Sequence, residues 1–148
     1  MGENEFKGPI LIADDAPLQR RMLKSTLGKL GFSNVLEASD GTEALEVLKG
    51  FAQGAVTQGA PQFLLIDQKM PGIDGLALLH KVRSLKGWET VPFIFITAES
   101  NMDSMVEATL SGADGYLLKP VDGPSLKLKI QEVWKQHQEK MLGREKAG

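Results

Sequence analysis

Five short apolar runs punctuate the chain, and each gives way to a stretch with helical spacing. The first, Pro9-Ile10-Leu11-Ile12-Ala13, stops abruptly on Asp14-Asp15. Continuous apolar runs of this length suit strands buried on both faces. The next segment sets Leu18, Met22, Leu23, Leu27 and Leu30 on one side of a helix and Arg20, Arg21 and Lys24 on the other, with Gly31 as its stop. Val35 to Ala38 forms a second, weaker run, after which Ser39-Asp40-Gly41-Thr42 opens a short helix carrying Ala44, Leu45, Val47 and Leu48. Gly50 to Gln62 is uncharged and rich in Gly, Ala and Gln, and it reads as a frayed helix end plus a loop.

The third run, Phe63 to Ile66, also ends on an acid, Asp67. Met70-Pro71-Gly72 makes a turn, and Asp74 caps a helix with Leu76, Leu79 and Val82 as its stripe. Phe93 to Ile96 ends on Thr97, and a helix from about Met102 to Leu110 is closed by Gly112. The fifth run, Gly115 to Leu118, ends on Lys119-Pro120. Pro124 then sits near the start of a last helix, with Leu126, Ile130 and Val133 inward and an end near Leu142. Five alternations of strand and helix predict an α/β fold: a parallel sheet covered on both faces, with right-handed crossovers.

The chain has 148 residues, one domain's worth, divided here as a tail over 1–8, a domain over 9–142 and a tail over 143–148. Hydrophobic residues at 42% and charged residues at 24% fit a globular protein and exclude collagen and wholesale disorder. A net charge of −2 gives no reason to expect nucleic acid or an anionic membrane as a partner. No apolar run reaches the length of a bilayer span. The absence of cysteine removes disulfides, thiolate metal sites and cysteine nucleophiles, and the N-terminus lacks the pattern of a signal peptide. A cytoplasmic location is the expectation.

Four of the five runs end on a polar or charged residue: Asp14-Asp15, Asp67, Thr97 and Lys119. In open α/β sheets, ligands bind in the crevice beyond the strands' carboxyl ends. If the first, third, fourth and fifth strands are neighbours, these residues meet in one pocket. Like charges about 4 Å apart repel by roughly 4 kcal/mol at an effective dielectric of 20. Lys119 offsets part of that repulsion for the three acids, and a hard cation such as Mg²⁺ or Mn²⁺ suits the rest.

These residues carry a resemblance. ILIADD (Ile10–Asp15), LLIDQKMPGIDG (Leu64–Gly75), FITAES (Phe95–Ser100) and GADGYLLKP (Gly112–Pro120) are similar to the receiver domains of two-component response regulators, most of all the chemotaxis type. The similarity runs from about Pro9 to Trp134. It implies a single-domain flavodoxin-like (βα)5 fold, with a five-stranded sheet in the order 2-1-3-4-5. It implies a phosphorylation-dependent switch that catalyses only its own phosphotransfer from phosphohistidine and its own dephosphorylation. Asp67 matches the phosphoryl acceptor. Asp14, Asp15, Asp67 and the backbone carbonyl of Lys69 match the Mg²⁺ ligands. Thr97 and Lys119 match the residues that bond phosphoryl oxygens, and Thr97 with Tyr116 the switch pair. The Lys119–Pro120 bond is expected to be cis. Met105, Thr109, Tyr116 and Lys129 fall on the expected output face. A sensor histidine kinase or phosphotransfer protein is the implied donor. A flagellar switch component or a regulated enzyme is the implied target, with the chain a monomer or a weak dimer on phosphorylation.

Two features depart from the common pattern. The Gly50–Gln62 loop is longer than in compact chemotaxis regulators, and Lys69 stands where those often carry a neutral amide. Lys69 is expected to face Glu99 across the pocket mouth, and the two to modulate dephosphorylation. An intermediate phosphate carrier in a phosphorelay and an unphosphorylated docking module are the alternatives. A haloacid-dehalogenase type of enzyme needs a second acid two residues after its nucleophile, where this chain has Lys69. A flavin-binding flavodoxin needs a hydroxyl- and Gly-rich loop where this chain has Asp14-Asp15-Ala16-Pro17. His80 and His137 read as lone histidines, and Trp88 and Trp134 as packing or partner contacts.

Overall fold

The computed structural model describes residues 6–147, and side chains as far as residue 143. The strands are β1 (Ile10–Ala13), β2 (Val35–Ala38), β3 (Leu64–Ile66), β4 (Phe93–Thr97) and β5 (Gly115–Leu118). They form one parallel sheet in the order β2-β1-β3-β4-β5. The helices are α1 (Pro17–Lys29), α2 (Gly41–Lys49), α3 (Gly75–Arg83), α4 (Met102–Leu110) and α5 (Gly123–Ala147). Alternation along the central strands feeds two cores. Leu11, Leu64, Ile66, Phe93 and Phe95 pack with α2, α3 and the Ala108 face of α4. Ile10, Ile12, Leu65, Ile94 and Ile96 pack with Leu27 of α1 and Leu126, Ile130 and Val133 of α5.

The caps expected from sequence form as hydrogen bonds. Asp40 accepts from the Glu43 N–H at 2.7 Å, and Asp74 from the Ala77 N–H at 2.8 Å. Gly31 follows α1 with φ +99, a conformation that glycine adopts without steric cost.

Three expectations need correction. The α1 stripe is narrower than its leucines suggest. Leu27 is buried with Leu23 and Leu30 beside it, but Leu18 and Met22 are 65% and 59% exposed. Those two form a neighbouring row, offset by one residue or about 100° around the helix, and only one row meets the sheet. Helix α5 does not end near Leu142 but runs to Ala147, 25 residues in all. Phe6 lies in the segment read as a tail, yet it is 2% exposed. Its ring packs on Phe32, Phe63 and Trp134 at 5.9, 5.2 and 4.8 Å, and its backbone exchanges two hydrogen bonds with the Gln131 amide at 2.9 and 3.3 Å.

The Gly50–Gln62 segment, expected as a frayed helix end plus a loop, is an ordered loop that begins where α2 ends at Lys49. It holds a 3₁₀ turn over Gly54–Val56 and docks on the loop between α3 and β4. The Ala55 N–H donates to the Gly87 carbonyl at 3.0 Å, and Trp88 beside it is 1% exposed. Gly54 (φ +72) and Gly87 (φ +90) touch backbone to backbone: a Cβ on Gly54 would lie 2.4 Å from the Gly87 Cα.

That contact predicts a clear contrast in stability. Gly54→Ala is expected to lower the unfolding free energy by at least about 1 kcal/mol, from strain at positive φ and the backbone clash. Gly28→Ala lies in α1 with nothing within 4 Å of its Cβ. It is expected to raise stability by roughly 0.5–1 kcal/mol. Urea unfolding of both variants measures the contrast, and equal shifts would show that the loop is not held at Gly54.

Candidate functional site: an acidic pocket at the carboxyl end of the sheet

The strand order places β1, β3, β4 and β5 side by side, so the residues after them converge. The Asp67 N–H donates to the Ala13 carbonyl and the Lys119 N–H to the Thr97 carbonyl, both at 2.9 Å. These bonds fix where the side chains start. Asp14, Asp67 and Thr97 are 3%, 9% and 1% exposed, whereas Asp15 faces solvent. One carboxylate oxygen from each of Asp14, Asp15 and Asp67 lies within 4.8 Å of the others. An all-oxygen donor set of this kind fits a hard cation.

Lys119 reaches into this cluster. Its Nζ donates to Asp14 Oδ2 at 2.6 Å and to Asp67 Oδ2 at 3.0 Å. Burial pulls the ammonium's pKa down, but the hydrogen bonds and charges of Asp14 and Asp67 outweigh it and the net shift is upward. Asp14 also accepts from the Ala16 N–H through Oδ1 at 2.9 Å, so its two oxygens have separate tasks.

Beside the acids lies a cleft of about 600 Å³ lined by Asp15, Gln68, Lys69, Met70, Pro71, Asp74 and Glu99. Gly75 packs directly on the strand end, because a Cβ there would meet the Asp67 carbonyl oxygen at 2.6 Å. Only glycine lets α3 start against the Asp67–Gln68 backbone. Lys69 and Glu99 meet across the mouth with Nζ to Oε2 at 3.3 Å, the lysine 79% exposed. The backbone N–H of Glu99 donates to Thr97 Oγ1 at 3.2 Å, and its carbonyl accepts from the Tyr116 hydroxyl at 2.8 Å. Burial, then the charges of Glu99 and Asp67, raise the Tyr116 pKa. The Lys119–Pro120 peptide is cis, as is Gly8–Pro9.

The structure thus brings Asp14, Asp15, Asp67 and Lys119 together, with Thr97, Lys69, Glu99 and Tyr116 joined through Glu99. On the expected output face, Thr109 is exposed while Met105, Tyr116 and Lys129 are half-buried. The apolar surface there is carried by residues the sequence reading did not single out. Met102, Val106 and Leu110 of α4 are 70%, 48% and 83% exposed, with Leu118 of β5 at 43%. Their spacing of four was visible, but so was that of the inward Ala108 row, and periodicity alone does not say which row faces the sheet. Two polar residues of α1's first turn were also missed. Arg20 donates to the Asp14 carbonyl at 2.6 Å and pairs with Glu37 at 3.3 Å, while Gln19 Oε1 accepts from Lys119 at 2.5 Å.

A doubly wound parallel sheet with an acid cluster and a lysine beyond its carboxyl ends defines a flavodoxin-like α/β protein with a cation- and phosphate-compatible pocket. Residues 10–131 match the family model of the response regulator receiver domain. The chain belongs to that family. It is 39% identical over 125 residues to the chemotaxis protein CheY of Pseudomonas aeruginosa, covering 84% of this chain and 94% of that one. With the chemotaxis protein CheY-3 of Vibrio cholerae the identity is 37%, covering 84% and 90%. A response regulator receiver domain protein from Clostridium thermocellum superposes with a TM-score of 0.75 at 26% identity, over 90% of this chain and 97% of that one. Receiver domains are phosphorylation-dependent switches that bind Mg²⁺ at an acidic pocket and work with a histidine kinase and an output target. Among the described residues no helix is long and apolar enough to cross a membrane.

The electrostatics yield a stability prediction. Lys119→Met leaves two nearly enclosed carboxylates without their cation and is expected to destabilise by about 1–3 kcal/mol in metal-free buffer. Adding Asp67→Asn to that variant is expected to recover most of the loss. Urea unfolding of the two proteins checks this, and no recovery in the double variant would mean that the loss comes from packing of the lysine stem.

Proposed function

We propose that this receiver domain takes a phosphoryl group on Asp67 from the phosphohistidine of a sensor kinase or phosphotransfer protein. The observation that carries the reading is the Asp67 carboxylate at the end of β3, held 3.0 Å from the Lys119 ammonium and clustered with Asp14 and with Asp15, which lines an open cleft. A carboxylate oxygen of Asp67 attacks phosphorus, the P–N bond breaks, and the imidazole leaves with the electron pair. The chain's part is to orient and to neutralise. Lys119 gives a charge-assisted bond to one phosphoryl oxygen and the Thr97 hydroxyl a bond to another. Asp14, Asp15, Asp67 and the Lys69 carbonyl would hold Mg²⁺ (Mn²⁺ is the alternative), which supplies charge neutralisation at the phosphoryl oxygens when bound.

Phosphorylation draws Thr97 inward. The bond from Glu99 N–H to Thr97 Oγ1 is then remade, and with it the tie from Glu99 to Tyr116. That change reaches the face of α4, β5 and α5, where Met102, Val106 and Leu110 offer apolar surface to an output protein. Asp14, Asp15, Asp67, Thr97 and Lys119 are all present, which argues against an unphosphorylated docking module.

Lys69 and Glu99 favour a long-lived phosphoryl state. Water must reach phosphorus in line, opposite the Asp67 oxygen, and a long lysine stem held by Glu99 over the mouth obstructs that path. The exposed pair contributes only about 0–1 kcal/mol to stability. Its effect is on the rate, and it suits a phosphate carrier or a slow switch better than a rapid signal.

Two measurements test this. Acetyl phosphate with Mg²⁺ is expected to add one phosphoryl group by mass spectrometry, and Asp67→Asn to abolish it; equal labelling of the variant rejects the site. Once labelled, Lys69→Asn is expected to lose its phosphoryl group several-fold faster than wild type, while an unchanged rate sinks the shielding role.

A further inference from the structure

A lysine ammonium has three N–H donors and no acceptor. In this pocket all three are taken: by Asp14 Oδ2 at 2.6 Å, Asp67 Oδ2 at 3.0 Å and Gln19 Oε1 at 2.5 Å. The first two acceptors belong to the acid cluster. The third is a neutral amide on the first turn of α1, 100 residues away in the chain. That turn is itself fixed. Pro17 starts the helix, Arg20 donates to the Asp14 carbonyl at 2.6 Å, and Arg20 also pairs with Glu37 at 3.3 Å.

We propose that Gln19 is a positioning residue for the pocket's phosphotransfer, holding the Lys119 ammonium together with Asp14 so that its remaining N–H is directed at Asp67. The inference rests on the reading of Asp67 as the phosphoryl acceptor. Charge attraction alone does not give this direction, because an ammonium is a compact point charge on a flexible four-carbon stem. Two acceptors on the α1 side fix both the nitrogen and its rotation. A donor already aimed at the reacting carboxylate needs no reorganisation when charge moves onto phosphoryl oxygens. Gln19 is the only one of the three acceptors outside the acid cluster, so its loss leaves the ammonium to swing between two carboxylates.

The test uses the full chain. Gln19→Met keeps the stem and removes the acceptor, whereas Gln19→Glu keeps an acceptor. At saturating Mg²⁺, the labelling rate of Gln19→Met with acetyl phosphate is expected to fall about threefold to tenfold, with Mg²⁺ affinity unchanged because the acids are intact. The ¹H–¹⁵N signal of the Lys119 ammonium gives a second readout, independent of turnover. Its protons are expected to exchange slowly with water in wild type, several-fold faster in Gln19→Met, and slowly again in Gln19→Glu. Wild-type labelling and wild-type ammonium exchange in Gln19→Met overturn the proposal. Faster exchange in both variants overturns it too, since the effect would then belong to helix packing and not to the acceptor. If wild type takes no label, the phosphoryl-acceptor reading fails, and the exchange series still decides whether Gln19 holds Lys119.

Discussion

The carboxyl end of this sheet is organised by one cation. Asp14 and Asp67 are nearly enclosed and Asp15 stands beside them, so without a counter-charge their mutual repulsion would work against folding. Two like charges about 4 Å apart repel by roughly 4 kcal/mol at an effective dielectric of 20, a large fraction of a domain's net stability. Lys119 answers two of the acids directly. It does so from β5, at the far side of β4 from β3, which is why the strand order matters to the chemistry. A sheet that placed β5 elsewhere would strand the lysine and leave the acids unpaired.

Close packing beneath the pocket supports this arrangement. The start of α3 lies on the Asp67–Gln68 backbone because Gly75 has no side chain, and the Asp74 carboxylate caps the helix by accepting from the Ala77 N–H, one of its orphan donors. The position of Asp67 is thus set by the cross-strand bond to Ala13 and by the start of α3 packed on its backbone. Rigid support on two sides is what a reacting carboxylate needs, since misplacement of about 1 Å can cost two orders of magnitude in rate.

Much of this was legible in the sequence, for identifiable reasons. The central strands are buried on both faces and therefore read as unbroken apolar runs, and the acids that end them mark both strand ends and pocket. Lys69 and Glu99 could be paired because both lie two residues past a strand-end site residue. What escaped is tertiary. Phe6 is a single aromatic in a polar stretch, and only Phe32, Phe63 and Trp134, distant in the chain, make it core. The Gly50–Gln62 segment has no periodicity because it is held by backbone contact at Gly54 and Gly87, which no side-chain pattern records. Gln19 and Arg20 look like ordinary exposed helix residues, and long side chains reach the pocket from a turn whose facing is decided by packing.

Glu99 joins the pocket to the outer face through three different groups of one residue. Its N–H holds the Thr97 hydroxyl, its carbonyl holds the Tyr116 hydroxyl, and its carboxylate holds Lys69. These groups share a short stretch of backbone, so they do not move independently. A Thr97 hydroxyl that turns to a new partner releases the Glu99 N–H. The backbone shift that follows moves the carbonyl on which Tyr116 rests and the carboxylate that pins Lys69. Tyr116 packs on Phe95 at a ring separation of 5.7 Å, so a change in its hydroxyl bond is also a change at the edge of the core. Packed cores resist small continuous deformation and favour discrete alternatives. The same residue that pins Lys69 over the cleft therefore also holds the hydroxyl of the aromatic ring. Under the proposed phosphotransfer, lifetime and output are coupled through this one backbone segment.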